Sequence, residues 1–297
     1  MATGARSLAR TNRNIEQDGN FDNNFDLSKF KEWLVSREYS NSTIKTMSSY
    51  ASRYNYILSD EQKISDLNKV SPIIRTHIVK SLLLVARYNN CYDEVKAKFA
   101  KYSIKMHRSN GLDGFLRILD SNKNSDILDY YHKAKSVVKP HEALYLEFLL
   151  KTGLRPNEGV CSYNLIIELT NEGKLNEYYN KELNCLIHAN YKQFLRKTKN
   201  CYLSFVSEKL INDIAKSKPV VYSLVRKRLR NNQLTLRLKE LRRFCNTHLI
   251  NKGLSELEVN LISGRINGLL LKHYFTPKLA ELSKKVLTAI ESIDTAN

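Results

Sequence analysis

From Leu27 onward apolar residues return at every third or fourth position, and this period gives way in only one short region. A chain so patterned folds mainly as helices, each burying one stripe of its surface. Leu27, Phe30, Trp33 and Leu34 share one face, and Ile44, Met47, Ala51, Tyr54 and Leu58 form the stripe of a second helix capped by Ser42 or Thr43. A third helix runs from about Pro72 to Tyr88, with Pro72 in its first turn and Ile74, Ile78, Leu82 and Val85 inward. A shorter fourth carries Val95, Phe99 and Tyr102. These predict a four-helix domain over residues 26–105. The preceding residues, 1–25, are rich in Asn, Gly, Arg and Asp and nearly devoid of apolar side chains, which predicts a flexible arm.

Residues 106–125 contain Arg108-Ser109-Asn110-Gly111, Gly114 and Ser121-Asn122-Lys123-Asn124, turn-forming clusters that predict an interdomain linker. A larger domain, 126–297, opens with helices over Asp126–Val138 and Pro140–Lys151, the latter stopped by Gly153. The helical period lapses at Cys185–Ala189 and Cys201–Phe205, two short β-rich runs flanking a basic, turn-like segment. Helices resume at about Ser207, and a last one, from about Lys278 to Ile293, turns Leu279, Leu282, Val286, Ala289 and Ile290 to one side. The expected fold is mainly α, with a small antiparallel sheet in the second domain.

Charge narrows the function. The chain carries 48 Lys and Arg against 30 Asp and Glu, a net +18, which points to a polyanionic partner. Between Lys192 and Arg243 lie 15 basic and 3 acidic residues, so two-thirds of the excess falls in one patch. Lys192, Arg196, Lys197, Arg226, Lys227, Arg228, Arg230 and Arg243 are its candidate DNA contacts. Apolar runs such as Leu82–Ala86 are far too short to span a bilayer, and no apolar stretch follows the N-terminus as a signal peptide requires. A soluble, intracellular protein without membrane contact is expected. Its five cysteines are widely spaced among apolar neighbours, as reduced core thiols are. Cys245 and His248 stand at a ligand-like spacing, but with no second pair nearby no structural zinc is expected.

Three segments could carry chemistry. Thr152-Gly153-Leu154-Arg155-Pro156-Asn157-Glu158 sets an arginine just past a helix end, and alone it reads as a capping or salt-bridge residue. In Leu238-Lys239-Glu240-Leu241-Arg242-Arg243-Phe244-Cys245-Asn246, the residues Leu241, Cys245 and Leu249 define a buried stripe while Lys239, Arg242 and Asn246 share another face. Ser255-Glu256-Leu257-Glu258 is a capping box opening a short helix that ends at Gly264, followed by Arg265 and, nine residues on, Tyr274.

Taken together these segments resemble the tyrosine recombinase, or phage integrase, family. Thr-Gly-Leu-Arg-x-x-Glu matches its first arginine motif, and Leu-Lys-Glu-Leu-Arg-Arg resembles its His-x-x-Arg helix, with Lys239 where histidine is commoner. Ile-Ser-Gly-Arg resembles its Leu-Gly-His motif, with Arg265 in the second histidine position. Cations at both histidine positions are similar to integrases of archaeal spindle-shaped viruses and related plasmids. The resemblance implies a helical core-binding domain followed by a catalytic domain. It further implies catalytic Arg155, Arg242 and Arg265, a nucleophilic Tyr274, and a lysine before a strand of the sheet, Lys199, with Lys197 as a rival.

In that chemistry a tyrosine attacks a DNA phosphodiester, and fixed cations stabilise the negative charge of the transition state. Arginine suits the role because its planar fork donates two hydrogen bonds to a phosphate and stays charged. The lysine protonates the leaving 5′-oxygen, and Lys239 contacts phosphate or takes part in proton transfer. The 3′-phosphotyrosine conserves the energy of the broken bond, so no cofactor, nucleotide or metal is expected. The implied partners are double-stranded DNA attachment sites and three further copies of the chain, a tetramer docked through the C-terminal helix, acting in the cytoplasm of an archaeal host on its nucleoid. Two other readings remain open on the residues alone: a type IB topoisomerase-like enzyme that relaxes DNA, and a non-cleaving DNA-binding accessory protein.

Overall fold

The structure, a computed structural model, describes residues 25–107, 110–116, 127–195, 200–266 and 277–293. It is mainly α-helical with one small antiparallel sheet. The chain divides into two units, Met1–Leu119 and Asp120–Asn297.

In the first unit α1 (Leu27–Ser36) starts where the Asp26 carboxylate accepts from the Ser28 and Lys29 amides. The cap of α2 (Asn41–Tyr54) is Ser40, whose hydroxyl accepts from the Thr43 amide, and not Ser42 or Thr43 as expected. Any hydroxyl in this run can cap; Ser40 holds the extended backbone a cap needs. The second stripe is not continuous: α2 stops at Tyr54, and a one-turn helix, α3 (Tyr56–Ser59), follows. A 3₁₀ stretch, Glu61–Lys69, leads to α4 (Pro72–Tyr88) and α5 (Tyr92–Lys101). Phe30, Leu34, Met47, Ala51, Ile57, Ile78, Leu82, Val85, Val95 and Phe99 share this unit's core. The buried Ser81 hydroxyl donates to the Met47 carbonyl at 2.6 Å and locks α4 to α2. Ile74, expected inward, is 44% exposed, because the buried stripe of α4 begins only at Ile78, where α2 lies against it. Within the expected linker, residues 111–116 are helical. The Asn110 and Asp113 side chains accept reciprocally from each other's amides and open that turn.

In the second unit α6 (Ile127–Val137) and α7 (Pro140–Thr152) precede Gly153, which ends α7 with φ +61. Helix α8 (Pro156–Asn171) then runs to the sheet β1 (Tyr179–Asn180), β2 (Cys185–Ile187) and β3 (Leu203–Phe205), in that spatial order. Tyr179 pairs with Leu186, and Leu186 with Ser204. Two expected strands are thus three, and both are shorter than expected: residues 188–190 are 3₁₀ and strand pairing resumes only at Leu203. The cause is His188, fully buried, whose ring bonds the Tyr178 hydroxyl at 2.7 Å and the Ser204 hydroxyl at 2.9 Å and so turns inward where a strand would continue. Helices α9 (Glu208–Ala215), α10 (Tyr222–Asn231), α11 (Leu238–Asn251), α12 (Glu256–Ile262) and α13 (Leu279–Glu291) complete the unit. Leu282, Val286, Ala289 and Ile290 of α13 belong to this unit's own core, and Ser283 donates to the Leu183 carbonyl. Leu279, expected on that face, is 38% exposed in the first turn. Among the described residues no helix is long and apolar enough to cross a membrane.

Candidate active site

The site is built around α11. Leu241, Cys245 and Leu249 are each 1% exposed, which fixes the rotation of the helix and turns Lys239, Arg242 and Asn246 to another side. Arg242 is held by two main-chain acceptors: Nη1 donates to the Gly153 carbonyl at 2.7 Å and Nη2 to the Ser263 carbonyl at 2.8 Å. These partners lie 89 and 21 residues away in the chain, and each stands two residues before another arginine of the set, Arg155 and Arg265. One guanidinium therefore ties three segments into a single corner.

Arg155 sits at the start of α8, where Glu158 accepts from its amide at 3.2 Å and from its Nη1 at 2.8 Å. Glu158 is almost wholly buried while the Arg155 side chain is 27% exposed, so the carboxylate lies beneath and the guanidinium faces out. Arg265 follows the left-handed Gly264 and is exposed, its amide bonded to the Asn260 carbonyl at 2.8 Å. Burial first, and then the charges of Arg155 and Arg265, hold Arg242 below the usual arginine range. An arginine cannot lose its proton in a protein, so the corner keeps all three charges, with the Glu158 carboxylate acting against the repulsion.

The sheet enters the same place. Gly264 packs directly on the Asn200 carbonyl, leaving no room for a Cβ. The buried Cys201 thiol is pushed up to about 12 by burial, next by the Glu158 carboxylate, against the opposing charges of Arg242 and Arg155. The Cys201 amide donates to the Phe194 carbonyl, joining the chain on either side of residues 196–199. Lys199, Lys197 and Arg196 lie outside the described residues, as does Tyr274. Lys239 is exposed, one turn before Arg242 on the same face.

Ser263 and Asn200 line the corner although the sequence reading passed them by. Ser263 is 2% exposed and donates to Asn246 Oδ1 at 3.1 Å, which fastens the turn carrying Arg265 to α11. Their signal was position: Ser263 stands within the Ile-Ser-Gly-Arg motif, and Asn200 directly follows Lys199.

The basic patch divides. Lys192, Lys227, Arg230 and Arg243 are exposed. Arg226 lies over the Tyr222 ring at 5.6 Å. Arg228 is engaged within the unit: its Nε is 2.7 Å from Oε2 of the buried Glu142, an ion pair whose N–H points off the oxygen. Of the cysteines, Cys185, Cys201 and Cys245 are buried, but Cys161 is exposed and Cys91 half-buried, so the expectation of core thiols holds for three. Cys161 rides α8 on its outward side. Cys245 donates to the Lys151 carbonyl and His248 bonds the Ala289 carbonyl, so the two turn to different partners. Among the described residues no three His, Cys, Asp or Glu side chains are grouped to hold a metal ion. No protein-family model matches this chain, and no curated protein matches it either.

Proposed function

We propose that the chain is a site-specific DNA recombinase of the tyrosine recombinase kind, an integrase that cuts and rejoins duplex DNA through a covalent phosphotyrosine. The observation that supports this best is the Arg242 guanidinium, bonded to the carbonyls two residues ahead of Arg155 and of Arg265. Three cations gathered at one corner, with Arg242 part-buried between the more exposed Arg155 and Arg265, are a receptor for an oxyanion, and two of the five N–H groups of Arg242 are already spent on its own scaffold. What remains faces a ligand without further reorganisation, the condition under which one donor contributes about 3–4 kcal/mol to a transition state.

In this reading the scissile phosphate binds Arg155, Arg242 and Arg265. The Tyr274 oxygen gives up its proton to water and forms a bond to phosphorus as the bond to the 5′-oxygen breaks. Lys199, or Lys197, supplies the proton that the departing 5′-oxygen takes up. Lys239 and the exposed Lys192, Lys227, Arg230 and Arg243 follow the flanking backbone. Rejoining is the reverse reaction with a 5′-hydroxyl of another strand, so four copies acting on two attachment sites of a mobile element belong to the proposal.

The test is a nicked duplex from the DNA adjoining the chain's own coding region, mixed with the protein in chelator and without nucleotide. A denaturation-resistant adduct on the 3′ side, lost in Tyr274→Phe, is expected. Wild-type protein that binds this DNA tightly yet never forms the adduct would leave a non-cleaving DNA-binding role; an adduct formed by a monomer that relaxes supercoils without joining two sites would leave the topoisomerase reading.

A further inference from the structure

The first unit carries a feature that the cleavage reading does not use. Four aromatic rings stand in series along one surface: Tyr56 beside Tyr54 at 6.5 Å, Tyr54 beside Tyr50 at 6.2 Å, and Tyr50 beside His77 at 5.9 Å with their planes 5° apart. The first three come from α2 and α3, the last from α4. Cations overlie the series. The Arg53 guanidinium is 4.9 Å from the Tyr50 ring centre and 5.9 Å from that of Tyr54, and the Lys63 ammonium is 5.4 Å from that of Tyr56. His77, Tyr56 and Arg53 are exposed, and Tyr50 and Tyr54 half-buried.

Packing between helices does not ask for this arrangement. The core of the unit is aliphatic where α2 meets α4, through Met47, Ala51, Ile78 and Leu82; Tyr50 and Tyr54 pack against its edge, and Tyr56 and His77 extend the row onto the exposed surface. Nor is the surface charge-neutral. Along their whole lengths α2 and α4 carry Lys45, Arg53, Arg75, Lys80 and Arg87 and no Asp or Glu. An acid does stand at the Tyr56 end of the series: Asp60, four residues on in the sequence, pairs with Lys63.

We propose that this face of α2, α3 and α4 is a stacking platform for the unpaired bases of a single-stranded nucleic acid. A planar partner is what a row of rings can bind, and an anionic one is what a helix pair without acids attracts. A duplex keeps its base faces inside the stack and offers such rings nothing but phosphate, whereas an opened strand offers both base and backbone. A second copy docked through the same face is the wrong partner, because two α2–α4 pairs without acids repel. The inference is independent of the cleavage reading, since it uses other residues in the other unit.

The test measures binding of the full-length protein, by fluorescence anisotropy at one salt concentration, to an oligothymidylate of about 20 nucleotides and to a duplex of the same length. Tyr50→Leu and Tyr54→Leu keep an apolar side chain against the core, and each is expected to weaken oligothymidylate binding by about 5-fold or more while duplex binding holds. His77→Ala and Arg53→Gln change only exposed groups and are expected to act in the same direction. A second readout needs no variant: irradiation of the wild-type protein with a 5-iodouracil oligonucleotide should place crosslinks on Tyr50, Tyr54 or Tyr56. Unchanged oligothymidylate binding in all four variants would reduce the series to packing. Equal losses for single strand and duplex, or crosslinks confined to residues 192–243, would overturn the platform in favour of phosphate tracking.

Discussion

Adding a single methyl group at Gly264 tests the architecture of the arginine corner most directly. Gly264 has φ +66, and a Cβ built there runs into the Asn200 carbonyl oxygen, 2.9 Å from its carbon and 3.3 Å from the Cys201 Cα. Gly264→Ala therefore carries two costs. The left-handed backbone costs an alanine about 1–2 kcal/mol, and forcing two backbone segments apart costs about 1–3 kcal/mol more. Gly253 separates the two: its φ is +90 but nothing lies within 4 Å of an added Cβ, so Gly253→Ala bears the backbone cost alone. Urea denaturation followed by circular dichroism should thus show Gly264→Ala destabilised by about 2–5 kcal/mol and Gly253→Ala by about 1–2 kcal/mol. Gly264→Asn tolerates the left-handed φ but keeps the Cβ, so it should recover only part of the loss. Under the proposed function the displaced turn also carries Arg265 off the scissile phosphate, and a shift of about 1 Å lowers the rate of adduct formation on the order of 100-fold. Equal destabilisation by the Gly264 and Gly253 substitutions, with adduct formation unaffected, would refute the close approach of these two segments.

Arg228→Ala leaves the buried Glu142 carboxylate with the Lys139 amide but without its cation and should destabilise the protein by about 2 kcal/mol, less than for a wholly buried pair because the arginine is partly exposed. Lys227→Ala and Arg230→Ala should change stability by less than about 0.5 kcal/mol, yet under the proposed function each should reduce the slope of log affinity for DNA against log salt by about 0.9; equal effects of all three on stability would refute the distinction. His188, lowered by burial to about 3, stays neutral in the folded protein while the unfolded chain protonates it near 6.5. Stability from this group is complete above pH 6.5 and declines by about 1.4 kcal/mol per unit as the pH falls toward 3. Urea midpoints between pH 7 and 4.5 should show a shallower decline in His188→Asn, and parallel declines would contradict the buried neutral ring. Iodoacetamide should label the exposed Cys161 in native protein well before Cys185, Cys201 and Cys245, whose thiols burial pushes up to about 12. Peptide mapping that finds Cys245 labelled first would mean that α11 is not packed as described.

Features written in a few neighbouring residues were legible in the sequence. Gly153 ends α7 and Ser255 and Glu258 open α12 within a single turn each, and the period of Leu241, Cys245 and Leu249, read along one helix, turns Arg242 to the other side. What escaped the sequence depends on partners far along the chain. The early end of β2 follows from His188 finding Tyr178 and Ser204, and the loss of Arg228 from the basic patch follows from Glu142. Strand β1 spans two residues, too few to show any alternation. The helical turn at 111–116 is an exception: its Asn-x-x-Asp cap was present in the sequence, and the two glycines beside it masked the signal.

The bonds of Arg242 also set an order of events during synthesis. An arginine that reaches 89 residues back and 21 residues forward cannot take its place until nearly the whole second unit has emerged and docked. Contacts of such long sequence separation form late, after the local helices. Under the proposed function, a growing chain with its basic segment already exposed can adhere to nucleic acid but has no assembled arginine corner with which to grip a phosphate. The corner comes into being only with the finished fold.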